Sequence, residues 1–120
     1  MKINFSKNVN SFEATVDGIK VSIRESIMSD KAIQLAEKVL LVYPQKVIAI
    51  AEYISQDEWI AATYHLSKEE IEKKLHKPII YIFENGGVLS YCENEIDCDH
   101  ILDVEFGGAM EKFYSVNMDG

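Results

Sequence analysis

Six carboxylates (Glu93, Glu95, Asp97, Asp99, Asp103 and Glu105) stand within one short segment that no lysine or arginine interrupts. Like charges this close repel, so solvent and salt, a metal ion or a cationic partner must offset them. The blandest arrangement is a solvated acidic loop running into the outer face of a strand. The sharper one is a recognition surface for a basic protein, made of Glu93, Glu95, Asp97, Asp99, His100, Asp103 and Glu105. Clustered acids speed encounter with such a partner and select it by charge complementarity.

A third arrangement is a ligand site. Cys92, Cys98 and His100, with Asp97 and Asp99 between them, include zinc-type ligands, and Asp97 or Asp99 could orient His100 as a general base. The spacing C-x5-C-x-H matches no paired zinc knuckle, and Asp97-x-Asp99 lacks the glycine and terminal glutamate of a calcium loop. No G-x-S-x-G, H-E-x-x-H or phosphate-cradling glycine loop occurs. The sequence therefore assigns no metal, no cofactor and no catalytic residue. A metal- or small-ligand-binding domain, possibly enzymatic, centred on His100, Asp97, Asp99, Cys92 and Cys98, stands as the alternative.

The totals narrow the classes. At 120 residues the chain makes one domain, residues 1–120. Its 48% hydrophobic content suits a folded core rather than disorder. A net charge of −8 argues against binding nucleic acid or an anionic membrane through a basic surface, and suits a basic protein partner. No apolar run is long enough to span a bilayer, and Met1 to Phe5 does not read as a signal peptide, so a cytoplasmic location is expected. Two cysteines make no disulfide framework and read as free thiols.

The elements that must position the acids follow from periodicity. Phe12, Ala14 and Val16, then Ile19, Val21 and Ile23, alternate with polar residues on either side of Asp17-Gly18, the pattern of a hairpin with a type I′ turn. Ile3 and Phe5 suggest an added edge strand. From Ser29 the spacing turns helical, with Ser29 as cap and Ile33, Ala36, Leu40 and Tyr43 on one face. Tyr43-Pro44 predicts the end of that helix and Pro44 the start of a second. Val47, Ile50, Ala51 and Ile54 give the second helix its buried stripe.

Ser55 to Glu58 reads as a capping box, so residues 45–65 allow one kinked helix or two short ones. Trp59, Tyr53 and Tyr64 are expected in the core, and would mark a partner-binding face if exposed. Ser67 and Glu70 form a capping box for a helix that Pro78 ends, and His65 and His76 fall at helix ends. Ile79 to Phe83, nearly free of polar residues, predicts a central strand. Glu84 to Gly87 turns it, Val88 to Cys92 returns, and Leu102, Val104 and Phe106 alternate in the next strand. Gly107-Gly108 turns the chain into Tyr114, Val116 and Met118. The order ββ-ααα-ββββ implies an α+β domain, an antiparallel sheet with an N-terminal hairpin and a C-terminal four-strand meander, covered on one face by two to four helices.

Tyr91, Glu93, Asn94, Ile96, His100, Ile101, Val104 and Gly120 also carry a resemblance. They are similar in order to a small bacterial domain family of unknown function, with a tyrosine strand, an acidic turn, Gly-His before an apolar strand, and a final glycine. Trp59 falls near a tryptophan frequent in that family. Asp99, Glu95 and Ile96 depart from it where the family has glycine, glycine and an aromatic residue. The resemblance implies an α+β fold, a bacterial cytosolic protein and no established activity; in general character such domains are similar to toxin-neutralising immunity proteins.

Overall fold

A computed structural model describes residues 2–119, so Met1 and the expected terminal Gly120 lie outside the described residues. The seven strands β1 (Ser6–Asn8), β2 (Ser11–Val16), β3 (Ile19–Arg24), β4 (Ile79–Ile82), β5 (Gly86–Tyr91), β6 (Ile101–Gly107) and β7 (Lys112–Asp119) form one sheet in chain order. Between β3 and β4 come a 3₁₀ turn and the helices α1 (Asp30–Ser55), α2 (Glu58–Tyr64) and α3 (Lys68–Leu75). The α+β class is as expected, and a short edge strand, β1, precedes the expected order ββ-ααα-ββββ.

Two features of the expected fold need correction. The sheet is mixed: β3 and β4 run parallel, with Lys20 beside Ile79 and Ile23 beside Ile82. The helical connection returns the chain to the end of the sheet where β3 began, which alternation within each strand cannot reveal. Second, Pro44 neither ends nor starts a helix. It lies exposed inside the continuous α1. Proline removes the amide that would bond the Leu40 carbonyl and its ring crowds that carbonyl, while Leu40, Tyr43, Ile50, Ala51 and Ile54, all buried, hold both halves of α1 on the sheet. Tertiary packing outweighs the local penalty.

Several local expectations hold. Asp17 and Gly18 take φ of 52° and 81°, as a type I′ turn requires. Ser29 caps α1 by accepting from the Ala32 amide, and Ser67 with Glu70 completes the capping box of α3. The cap of α2 is Asp57, not Ser55: its carboxylate accepts from the Ile60 amide at 2.9 Å. The N-terminal edge strand begins after Ile3 and Phe5; Ile3 is instead buried, its amide donating to Glu37 on α1. Gly86 and Gly87 belong to β5 rather than to the turn. A Cβ on Gly86 would collide with the Phe106 carbonyl, and one on Gly87 with that of Tyr81.

The helices cover one face of the sheet. Val21 and Ile23, Ile80 and Ile82, Leu89 and Tyr91, and Leu102, Val104 and Phe106 point into this core. Deep inside it the Tyr43 and Tyr91 hydroxyls share a hydrogen bond of 2.9 Å, which satisfies two groups that would otherwise be buried alone. A bulge between β6 and β7 shifts the register at Glu105/Phe106. Phe113, and not Tyr114 as expected, then turns inward onto Tyr53, leaving Tyr114 exposed. The opposite face carries Lys20, Ser22 and Arg24, then Ile79 and Tyr81, Val88 and Ser90, and Asp103 and Glu105 on successive strands.

Candidate functional site

The acidic segment is the β5–β6 connection, and Asn94 folds it. This side chain is 1% exposed. Its amide donates to the carbonyls of Tyr91 at 2.8 Å and His100 at 3.1 Å, closing the two ends of the loop on each other. Its oxygen accepts from the Asp97 amide at 2.8 Å. Ile96 is buried, and the Glu95 amide donates to the Lys74 carbonyl at the end of α3. The carboxylates therefore stand on a loop pinned from within and docked on the helical layer, not on a floating tail.

Inside that loop Asp97 is the hub. It accepts from the Tyr64 hydroxyl of α2 at 2.7 Å and from the Asp99 amide at 3.1 Å. His100 Nδ1 lies 3.0 Å from its other side, but off line for a hydrogen bond, so the contact acts mainly as an ion pair. His100 first, then Tyr64, lowers the Asp97 carboxyl below the usual carboxylate range. Reciprocally Asp97 raises His100, and it pushes the Tyr64 phenol up to about 12. Glu95 meets His76, which lowers its carboxyl further. His65 and His76 stand at helix C-caps with φ of 53° and 61°, and His76 gains this second role.

The six acids thus divide. Glu95 and Asp97 are tied to the helical side, Glu93 and Asp99 are exposed, and Asp103 and Glu105 lie on the sheet face without helices. Among the described residues none of the six makes an ion pair with a lysine or arginine; Lys7, Lys20 and Lys68 pair with Glu25, Glu13 and Glu52 instead. Glu105 accepts from Ser115 at 3.3 Å, and one Asp103 oxygen, shielded from solvent, has no hydrogen-bond partner.

Cys92 and Cys98 are both exposed free thiols, and among the described residues no three His, Cys, Asp or Glu side chains are grouped to hold a metal ion. A cleft of about 550 Å³ opens at the end of the central strands, lined by Lys20, His76, Lys77, Ile79, Ser90, Cys92 and Glu93 among others. It takes in Cys92 and Glu93 but not His100 or Asp97, so the histidine–carboxylate pair faces no substrate-sized cavity there.

Trp59 corrects the expectation that the helical aromatics are core residues. It is 57% exposed and meets the Tyr64 ring edge-on, with centroids 5.8 Å apart. In so short a helix only one side can be buried, and Ile60 takes it. Tyr64, half-buried, joins this tryptophan to Asp97, which places an exposed Trp59 against the acidic loop. Tyr53 is half-buried against Phe113. Asn94 was legible only in part: an asparagine three residues before Asp97 suits a side-chain-to-amide turn, but its reach to the His100 carbonyl depends on tertiary closure.

The chain matches no family model, no curated protein and no solved structure.

Proposed function

We propose that the protein is a non-catalytic protein-binding module that engages a cationic partner through its acidic end, toxin neutralisation of the immunity type being the specific form. The observation that carries this reading is the junction of Trp59, Tyr64 and Asp97. The exposed Trp59, backed by the half-buried Tyr64, supplies the rigid apolar anchor that dominates binding energy at interfaces. Around it Glu93, Glu95, Asp97 and Asp99, with His100, supply charge with which no lysine or arginine among the described residues forms an ion pair. Asp103 and Glu105 stand apart on the sheet face without helices. A basic partner gains both attraction and an anchoring pocket-filler; an acidic one is repelled.

The order of Tyr91, Glu93, Asn94, Ile96 and His100 supports the same reading through the resemblance to small bacterial domains, with Gly120 outside the described residues. A cytoplasmic, bacterial setting belongs to this proposal; among the described residues no helix is long and apolar enough to cross a membrane. Capture from a lysate of the source organism tests it. A basic protein should be retained at low salt and released as salt rises, and Trp59→Ala should weaken its binding by roughly a hundredfold, the range of an aromatic hot spot, without lowering thermal stability. Retention that Trp59→Ala leaves unchanged would remove the anchor from the interface.

A further inference from the structure

We infer that the sheet face without helices is the interface for a second copy of this chain. That face goes beyond the acidic end, because Trp59 and the β5–β6 loop stay outside it. Cross-strand registers fix its layout. One row runs Lys20, Ile79, Ser90, Asp103, and the next runs Ser22, Tyr81, Val88, Glu105. Lys20 and Arg24 therefore stand on β3, Lys20 within 3.3 Å of Glu13 on β2. Asp103 and Glu105 stand on β6, with β4 and β5 carrying a largely apolar middle in which Tyr81 and Phe83 are exposed.

This distribution is its own complement. A twofold axis parallel to the strands, between β4 and β5, exchanges β3 with β6 and β4 with β5. It lays Lys20 of each copy over Asp103 of the other, and brings Arg24 within one row of Glu105. Arg24 has no ion-pair partner among the described residues, so the second copy offers it a carboxylate that folding alone does not. Apolar strands meet apolar strands between them, in the aligned packing usual for two sheets.

The area suffices. About that axis six strands, β2 to β7, face a partner; about 4.8 Å apart and about 20 Å long, they present on the order of 580 Å² per copy. Both copies together bury roughly 1,150 Å², above the roughly 1,000 Å² that a biological interface should clear. Because the axis is parallel to the strands, both acidic loops emerge at the same end of the pair, while Asp103 and Glu105 serve the dimer.

Sedimentation equilibrium of the full chain at about 100 µM and low salt tests this. The expected mass is twice that of the chain. Lys20→Glu and Asp103→Lys should each weaken the dimer about tenfold or more, through two symmetric like-charge contacts. Together they should restore it to within about threefold, since the swap rebuilds both pairs. Arg24→Glu with Glu105→Lys gives a second swap should Asp103→Lys fail to fold. A monomer at that concentration, a dimer indifferent to the single reversals, or folded double variants that stay monomeric would each overturn the interface. Trp59→Ala should leave the dimer unchanged, so loss of partner binding and loss of self-association are read separately.

Discussion

Replacing Asn94 with alanine should unfasten the acidic loop without altering its charge. Three hydrogen bonds are lost: two donated to the Tyr91 and His100 carbonyls and one accepted from the Asp97 amide. At about 1 kcal/mol net each, and more where a carbonyl is left unpaired, the loss comes to roughly 3 kcal/mol. For a domain of this length each kcal/mol moves the midpoint by about 3–6 °C, so Tm should fall by about 10–15 °C. Amide exchange reports the same event locally. The Asp97 amide should exchange far faster in Asn94→Ala, together with the Glu95 amide that docks on Lys74. Asn94→Asp keeps the acceptor but loses both donors and buries a charge, so it should be no better than alanine. A fall in Tm below about 3 °C with unchanged exchange at Asp97 would refute the reasoning that this side chain holds the loop.

Three further outcomes follow from particular contacts. Tyr91→Phe strands the buried Tyr43 hydroxyl and should cost about 1–2 kcal/mol in urea denaturation, whereas Tyr43→Phe with Tyr91→Phe should cost less than the sum of the two singles. Pro44→Ala restores an amide to the exposed middle of α1 and should raise stability by about 1 kcal/mol or more; a loss would mean that the chain has adapted its packing to the proline. His100, raised by Asp97, stabilises the fold fully below its ordinary value of 6.5, and loses this as pH rises through its folded value. Asp97, lowered, contributes above 3.8 and loses this as pH falls through its folded value. Thermal melts of wild type and His100→Asn should therefore differ most between those limits and converge once pH has risen past the raised folded value of His100; a constant difference would contradict the ion pair.

The layers of this fold were legible because each rests on local chemistry. Asp17-Gly18 admits little but a type I′ turn, Ser67 with Glu70 writes a helix start, and Ile79 to Ile82 has too few polar groups for an edge. What escaped depends on contacts between distant residues. Pro44 carries a strong local stop signal, yet the buried residues on both sides of it decide its conformation. The parallel pairing of β3 with β4 follows from where three helices deliver the chain, and the inward turn of Phe113 from a bulge that alternation does not register. At the candidate site the acids were visible as a run, but their division was not. Asn94, Tyr64 and His76 tie Glu95 and Asp97 to the helical layer, while strand register sends Asp103 and Glu105 to the other face.

The decisive measurement is the affinity of the captured basic partner for the wild type and for Glu93→Gln/Glu95→Gln/Asp99→Asn, which leaves the Asp97 hub intact, across a series of salt concentrations. Recognition by the acidic end predicts weaker binding at low salt and a visibly flatter dependence of affinity on salt for the variant. Equal affinity and an equal slope for the two proteins would contradict it.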